Sequence, residues 1–337
     1  MTEWPESPAQ VRALPLRART EYLLRRFDLR PRKAVGQSFL INEGAARLIA
    51  QTAAEPGQPL VEVGGGLGAL TVPLAESGLP LAVVEIDPAA AAALSWLMSD
   101  LAHVRVVRED FLKVGWEAMV GGEDGLSLWG GSPARLGSHV PIGGRAGSPP
   151  HAEGMGEGAV QARALQLTAV GNLPYGSAGA ILQKLWAPES PCGRMVVMVQ
   201  REVAGRLRAA PGSKAWGPLS VLAALHTEDR EVVARLGPDS FWPAPRVEST
   251  ALRLERRRRP AELRDYPAMQ AAIRGAFGNR RKRLSNSLRL SLGLEAAVAE
   301  AVLRAAGVDG QRRGETLNLD ELIRLANALH GTGHRSL

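Results

Sequence analysis

Three short runs rich in apolar residues, Pro59–Val63, Leu81–Ile86 and Val104–Val107, each precede a helical or turn-rich stretch. The first, ending in a glycine cluster, suits a buried strand, the others read as a second and third strand, and strands alternating with helices imply a parallel α/β sheet. The feature that narrows the fold most is Val61-Glu-Val-Gly-Gly-Gly-Leu-Gly-Ala-Leu-Thr71, where the first run passes into a helix over Gly68–Ser77. Glycines there let the backbone turn tightly and approach a ligand, and a helix start offers free N–H groups. The pattern continues with an Ala-rich helix over Pro88–Leu101, Pro88 occupying its first turn. It breaks at Gly115–Val160, where 13 glycines in 46 residues mark an insertion that loops out of the sheet, since a buried loop would strand its polar backbone. Strands resume at Gln166–Val170, Arg194–Gln200 and Val247–Glu255, with helices near 178–186, 201–209 and 217–226. A short helix is expected near 17–27.

Chemistry-bearing residues fall at the carboxyl ends of these strands, where doubly wound sheets bind ligands. Gly64, Gly66 and Ala69 partly fit a dinucleotide fingerprint. Glu62, just before the glycines, suits a cationic ligand better than a pyrophosphate. The turn alone therefore favours S-adenosylmethionine, with its sulfonium and ammonium, over a nicotinamide dinucleotide, and leaves both open. Glu85 is placed to bond ribose hydroxyls, while Asp87 caps the helix beginning at Pro88. Asp110 could accept from an adenine amine, with Phe111 packing on the ring. The most specific segment is Gly171-Asn-Leu-Pro-Tyr175. An adenine amine is a poor nucleophile because its lone pair is delocalised into the ring. The Asn172 side-chain oxygen and the Leu173 carbonyl can both accept from such an amine and stabilise the positive charge that develops on attack. Pro174 stiffens the turn, and Tyr175 offers a stacking face for an extruded base.

Charge is uneven. From Arg256 to the C-terminus there are 16 Lys and Arg against 8 Asp and Glu, while the whole chain is only +7. A near-neutral body with a basic tail points to a polyanionic partner, most simply nucleic acid. The tail reads as helices near 261–277, 280–290, 294–306 and 319–329, with Arg280, Arg281, Lys282 and Arg283 as the phosphate-tracking run; Arg201, Arg206 and Arg208 form a smaller basic face. The expected organisation is an extension over 1–30, a sheet domain over 31–255 and a basic helical domain over 256–337. Cys192 is alone and the six histidines are scattered, so neither a disulfide nor a metal site is expected. No run suits a membrane span, and the N-terminus lacks a secretory layout, so a cytoplasmic protein is expected.

Taken together, Val35–Leu40, Val61–Thr71, Glu85–Asp87, Glu109-Asp110, Gly171–Tyr175, Val199–Ala204, Phe241–Ser249 and Ala276–Leu288 resemble the small-subunit ribosomal RNA adenine dimethyltransferases of the KsgA type, in order and approximate spacing. The resemblance covers roughly residues 30–115 and 165–330. It implies a class I S-adenosylmethionine-dependent methyltransferase domain, Rossmann-like, with a small all-helical C-terminal domain. It implies N6-dimethylation of two adjacent adenines in the 3′-terminal hairpin loop of 16S rRNA, on the immature small ribosomal subunit, by a monomer needing no metal and releasing S-adenosylhomocysteine. Carried over by position, Gln37, Ser38 and Leu40 would cover the cofactor, Gly64 and Gly66 its methionine part, Glu85 its ribose and Asp110 its adenine, while Asn172 would face both cofactor and target amine. Two residues depart from the family pattern: Ser38 stands for Asn, and Gly65 for Pro, which leaves the free turn less rigid. The nearest rivals are the large-subunit rRNA dimethyltransferases, which share the cofactor motifs, and a non-catalytic assembly factor that only binds RNA. Asn-Leu-Pro-Tyr rather than Asn-Ile-Pro-Tyr, with Arg280–Leu288, favours the small-subunit reading.

Overall fold

The computed structural model describes residues 5–31, 37–120, 167–257 and 262–331. The glycine-rich insertion beyond Val120, together with Val35, Gly36, Arg258 and Arg259, lies outside them. The chain divides into two compact units, one running to Arg201 and including Glu231–Arg256, the other made of Glu202–Arg230 and the chain from Arg257 onward.

The first unit is built on strands β2 (Leu60–Val63), β3 (Leu81–Glu85), β4 (Val104–Arg108), β5 (Leu167–Asn172), β6 (Cys192–Gln200), β7 (Thr227–Leu236) and β9 (Ser249–Arg256) in the order β4-β3-β2-β5-β6-β9-β7. β4 through β6 are mutually parallel, and β9 runs antiparallel to β6. β2 and β3 are buried at every position, which is why they read as unbroken apolar runs rather than alternating ones. The order reverses between β2 and β5, so their carboxyl ends open the crevice where such sheets hold ligands. Gly171 makes this pairing possible: a Cβ there would lie 2.5 Å from the Val63 carbonyl oxygen.

Helices α3 (Glu43–Ala53), α4 (Thr71–Ala75), α5 (Pro88–Leu97), α6 (Trp116–Val120) and α7 (Ala178–Trp186) follow the strands. Asn42 caps α3, and the Asp87 carboxylate caps α5 by accepting from Ala89 and Ala90, as its place before Pro88 predicts. Two further helices, α1 (Pro8–Arg12) and α2 (Leu16–Arg26), turn the expected N-terminal extension into part of this unit. Arg12 grips Asp100 with two bonds of 2.5 and 2.6 Å and also donates to the Leu97 carbonyl at the end of α5. Tyr22 stacks on Trp96, with 6.4 Å between centroids, and Phe27 tilts against the same ring.

Three strands escape the sequence pattern. β1 (Phe39–Leu40) and β8 (Phe241–Trp242) pair antiparallel in a two-stranded ribbon too short to show any period. Five of the ten residues of β7 are charged and most are solvated, so this edge strand hides its alternation behind the charges that protect an open edge. Arg256 also behaves unlike a tail residue: its guanidinium donates to the carbonyls of Leu185, Trp186, Ala187, Ser190 and Cys192, closing the end of α7 within the sheet unit.

The second unit is helical: α8 (Arg201–Leu207) leads into it, and α9 (Pro218–His226), α10 (Tyr266–Phe277), α11 (Leu284–Leu292), α12 (Ala296–Ala306) and α13 (Leu319–Gly331) form it. Val221, Ala224 and Leu225 of α9 share one core with Met269 and Ala272 of α10 and Leu325 of α13. The segment 202–230, expected in the sheet domain, therefore groups with the helices, because its apolar face has its partners there. Trp216 donates to the Leu317 carbonyl at 3.0 Å, and Gly314 sits so close to the α10 backbone that a Cβ would lie 2.0 Å from the Ala276 oxygen.

Candidate active site

A cavity of about 590 Å³ opens at the switch point, lined from four directions. Glu62, Gly64, Gly65 and Gly66 come from the end of β2, Glu85 and Ile86 from β3, Asn172 through Ser177 from β5, and Gln37 through Leu40 from the segment before α3. Of the site residues named above, Asp110, Phe111 and the basic residues fall outside this cavity, Phe111 being buried against Trp116 and Lys184, and the rest line it.

The glycine turn is shaped by conformation and by space. Gly64 and Gly66 hold φ of +77° and +55°, which side chains rarely adopt. Gly65 fills a different need: a Cβ there would lie 2.4 Å from Val83 Cγ1 and 2.8 Å from Leu94 Cδ1. Where the resemblance implies proline, the packing of Val83 and Leu94 leaves no room for a side-chain carbon.

Two acids flank the turn. Glu85 is 6% exposed, and its carboxylate accepts from the Gly66 and Asp87 N–H groups at 2.8 Å each, which ties the glycine turn to the end of β3. Burial pushes its pKa up, while those backbone bonds pull it back. The Ile86 N–H also bears on the carboxylate, which keeps lone-pair capacity for a hydroxyl. Glu62 is 1% exposed and accepts from the Thr71 hydroxyl at 2.6 Å. Burial pushes its pKa up to about 8, the Thr71 bond opposing and the Glu85 charge adding to the rise.

At the end of β5 the Leu173 N–H bonds the Met198 carbonyl, and the Ser177 and Ala178 N–H groups return to the Pro174 carbonyl, closing the turn. Asn172 Nδ2 faces the Ser38 carbonyl at 3.5 Å, which leaves its Oδ1 as the free accepting end. Tyr175 lines the cavity beside it.

Asp110 does not line the cavity. Its carboxylate accepts from Leu112 N–H at 2.9 Å, in a turn held beside β3 by the Glu109 N–H on the Glu85 carbonyl. The cavity wall also holds residues that local pattern did not single out. Ile86 is 65% exposed between two acids, although it ends an apolar run whose strand residues are buried. Thr20, from α2, has no signal in its local sequence.

In the helical unit the basic run splits. Arg280 donates to the Lys214 and Trp216 carbonyls and lies 3.7 Å from Glu315, so it braces the fold. Arg283 bonds the Gln311 side chain. Arg281 and Lys282 are exposed. Among the described residues there is no group of three or more His, Cys, Asp or Glu that could hold a metal ion, and no helix is long and apolar enough to cross a membrane.

The profile of the family described as "Ribosomal RNA adenine dimethylase" matches residues 29–325. The chain belongs to that family. This dimethylase-family chain is 36% identical over 314 residues to the ribosomal RNA small subunit methyltransferase A of Moorella thermoacetica, covering 92% of this chain and 96% of the relative. To the protein of the same description from Anaeromyxobacter dehalogenans it is 39% identical over 310 residues, covering 91% and 96%. Among solved structures, a dimethyladenosine transferase from Plasmodium falciparum superposes with a TM-score of 0.64 at 18% identity, over 89% of this chain and all of that one. The 23S rRNA methyltransferase ErmE does so at 0.54 and 24%, over 87% and 99%. These two establish the shared methyltransferase fold of the dimethylase-family chain, a Rossmann-like sheet joined to helices.

Proposed function

We propose that this chain is an S-adenosylmethionine-dependent rRNA adenine-N6 dimethyltransferase, acting on two adjacent adenines in the 3′-terminal hairpin loop of 16S rRNA in the immature small ribosomal subunit. The observation that carries the reading is the convergence of Asn172–Tyr175 with Glu85 and the glycine turn on one cavity at the switch point. Close relatives described as small subunit methyltransferase A support the choice of rRNA.

The cavity suits the donor. Its volume lies in the range of small-molecule pockets. The open backbone at Gly64 and Gly66 admits the methionine part, Glu85 keeps acceptors for the ribose diol, and Ile86 gives the adenine an apolar face. Gln37, Ser38 and Leu40 cover it; Asp110, in the turn beside the end of β3 and outside the cavity wall, takes the adenine amine on the family resemblance alone. When bound, the donor supplies an activated methyl on a cationic sulfur.

The protein's own part is positioning and electrostatics. Asn172 Oδ1 and the Leu173 carbonyl accept from the target amine, orient its lone pair and stabilise its positive charge as the bond forms. Tyr175 stacks on the extruded base, and Pro174 holds the turn. After transfer the nitrogen is acidic and can lose its proton to water, so no strong base is required. Arg281 and Lys282 track rRNA phosphates, with Arg280 and Arg283 adding to the field of the same run. The enzyme acts as a cytoplasmic monomer without metal.

Mass spectrometry of 16S and 23S rRNA after incubating small and large subunits that lack the marks with protein and S-adenosylmethionine tests this. Two dimethyladenosines in the 3′-terminal loop are expected. Methylation of large-subunit rRNA instead, or no incorporation, would overturn the substrate or the activity respectively.

A further inference from the structure

The turn after β4 is held from outside itself. Asp110 begins it: its carbonyl accepts from the Lys113 and Val114 N–H groups at 2.9 Å, and its carboxylate from Leu112. The turn leaves the Phe111 and Val114 carbonyls to be satisfied from elsewhere, and Lys184 Nζ donates to both. The same ammonium lies 5.0 Å from the centre of the Phe111 ring and 5.8 Å from that of Trp116, and the two rings meet edge to face at 6.1 Å. Phe111 and Val114 are 5% and 6% exposed, so the turn is anchored by apolar packing as well. Burial holds the Lys184 pKa below the ordinary lysine value, the Asp110 charge partly offsetting it.

Lys184 stands in the last turn of α7, the helix that begins immediately after Asn172–Ser177. One cation therefore ties the Asp110 turn to the helix issuing from the transfer turn. We infer that Lys184 is a positioning residue that presents the Asp110 carboxylate to the exocyclic amine of the donor's adenine, fixing the distance between purine recognition and methyl transfer. The inference rests on the reading of Asp110 given above. Its consequence is chemical: an adenine offers an N6–H donor to a carboxylate, whereas hypoxanthine offers a carbonyl oxygen that repels it.

Binding of S-adenosylhomocysteine and S-inosylhomocysteine, measured by calorimetry on the full chain, tests it. The wild type is expected to prefer the adenosyl ligand by about tenfold or more, the scale of one hydrogen bond to a charged group. Lys184→Met should bring that ratio close to one, and the KM for S-adenosylmethionine should rise by a larger factor than kcat falls. Lys184→Arg, which can still reach two carbonyls, should restore the preference. Asp110→Ala serves as the reference. If Asp110→Ala loses the preference and Lys184→Met keeps it, even with both ligands weakened equally, Lys184 is only a brace and the inference fails. If Asp110→Ala keeps the preference, the reading of Asp110 fails first and takes the inference with it.

Discussion

At Asn172 the geometry separates catalysis from binding. Its Nδ2 is directed to the Ser38 carbonyl and its Oδ1 is left to accept, so Asn172→Ala removes an acceptor that matters most when charge develops. Methyl incorporation should fall by about 10²–10³ while rRNA affinity stays within a factor of two; an equal loss of both would show that the side chain only supports the fold. Glu62 carries a prediction of a different kind. Folded, it keeps its proton to about pH 8; unfolded, it releases it near the ordinary value of 4.5. The native state thus binds more protons across that window, and the contribution to stability falls as pH rises, by up to about 1.4 kcal/mol per unit, and levels off above 8. Glu62→Gln removes this slope. Urea denaturation at pH 6 and 8 should show the variant gaining on the wild type with pH, and parallel behaviour would contradict the protonated state. The presence of an acid before the glycines is legible in sequence. Its protonation is not, because that depends on how completely β3 and β5 cover β2.

Among the elements, the pairing of β2 with β5 rests on a missing side chain. Gly171→Ala places a carbon 2.5 Å from a backbone oxygen that cannot rotate away. A loss of about 1–3 kcal/mol in stability is expected, with activity falling too, since Asn172 follows directly. A melting temperature equal to the wild type's would mean that the strands separate more easily than the register suggests. The N-terminal helices are a second case. Arg12→Ala removes the two hydrogen bonds to the Asp100 carboxylate and the link to the end of α5. Because α2 supplies Thr20 to the cavity wall, the KM for S-adenosylmethionine should rise several-fold, with a stability loss of about 1 kcal/mol. An unchanged KM would detach α2 from the site. Strands β2, β3 and β5 are readable because burial on both faces writes an unbroken apolar run. The role of α1 and α2 is not, since a charged, proline-interrupted stretch shows nothing of the Trp96 ring it packs against.

For the molecule as a whole, the basic surplus beyond Arg256 is a property of composition, but its division of labour belongs to the fold. Arg280 is spent on the Trp216 and Lys214 carbonyls, so its replacement should lower stability. Arg281 and Lys282 are exposed, and reversing both to Glu should leave the melting temperature within a few degrees. It should reduce the slope of log affinity against log salt for rRNA by about 1.5. An unaltered slope would make the run an ordinary solvated face. The sequence by itself determined the alternation of strands and helices, the glycine turn, the acids and the Asn-Leu-Pro-Tyr exit at strand ends, and the basic tail, because each is written in neighbouring residues or in a period of two or 3.6. Only the tertiary structure decided that residues 202–230 join the helical unit, that Thr20 borders the cavity, that Asp110 stands outside it and that Arg280 braces the backbone. Each of these follows from which apolar faces and orphaned carbonyls find one another across long stretches of chain, and a local pattern carries no record of its distant partner.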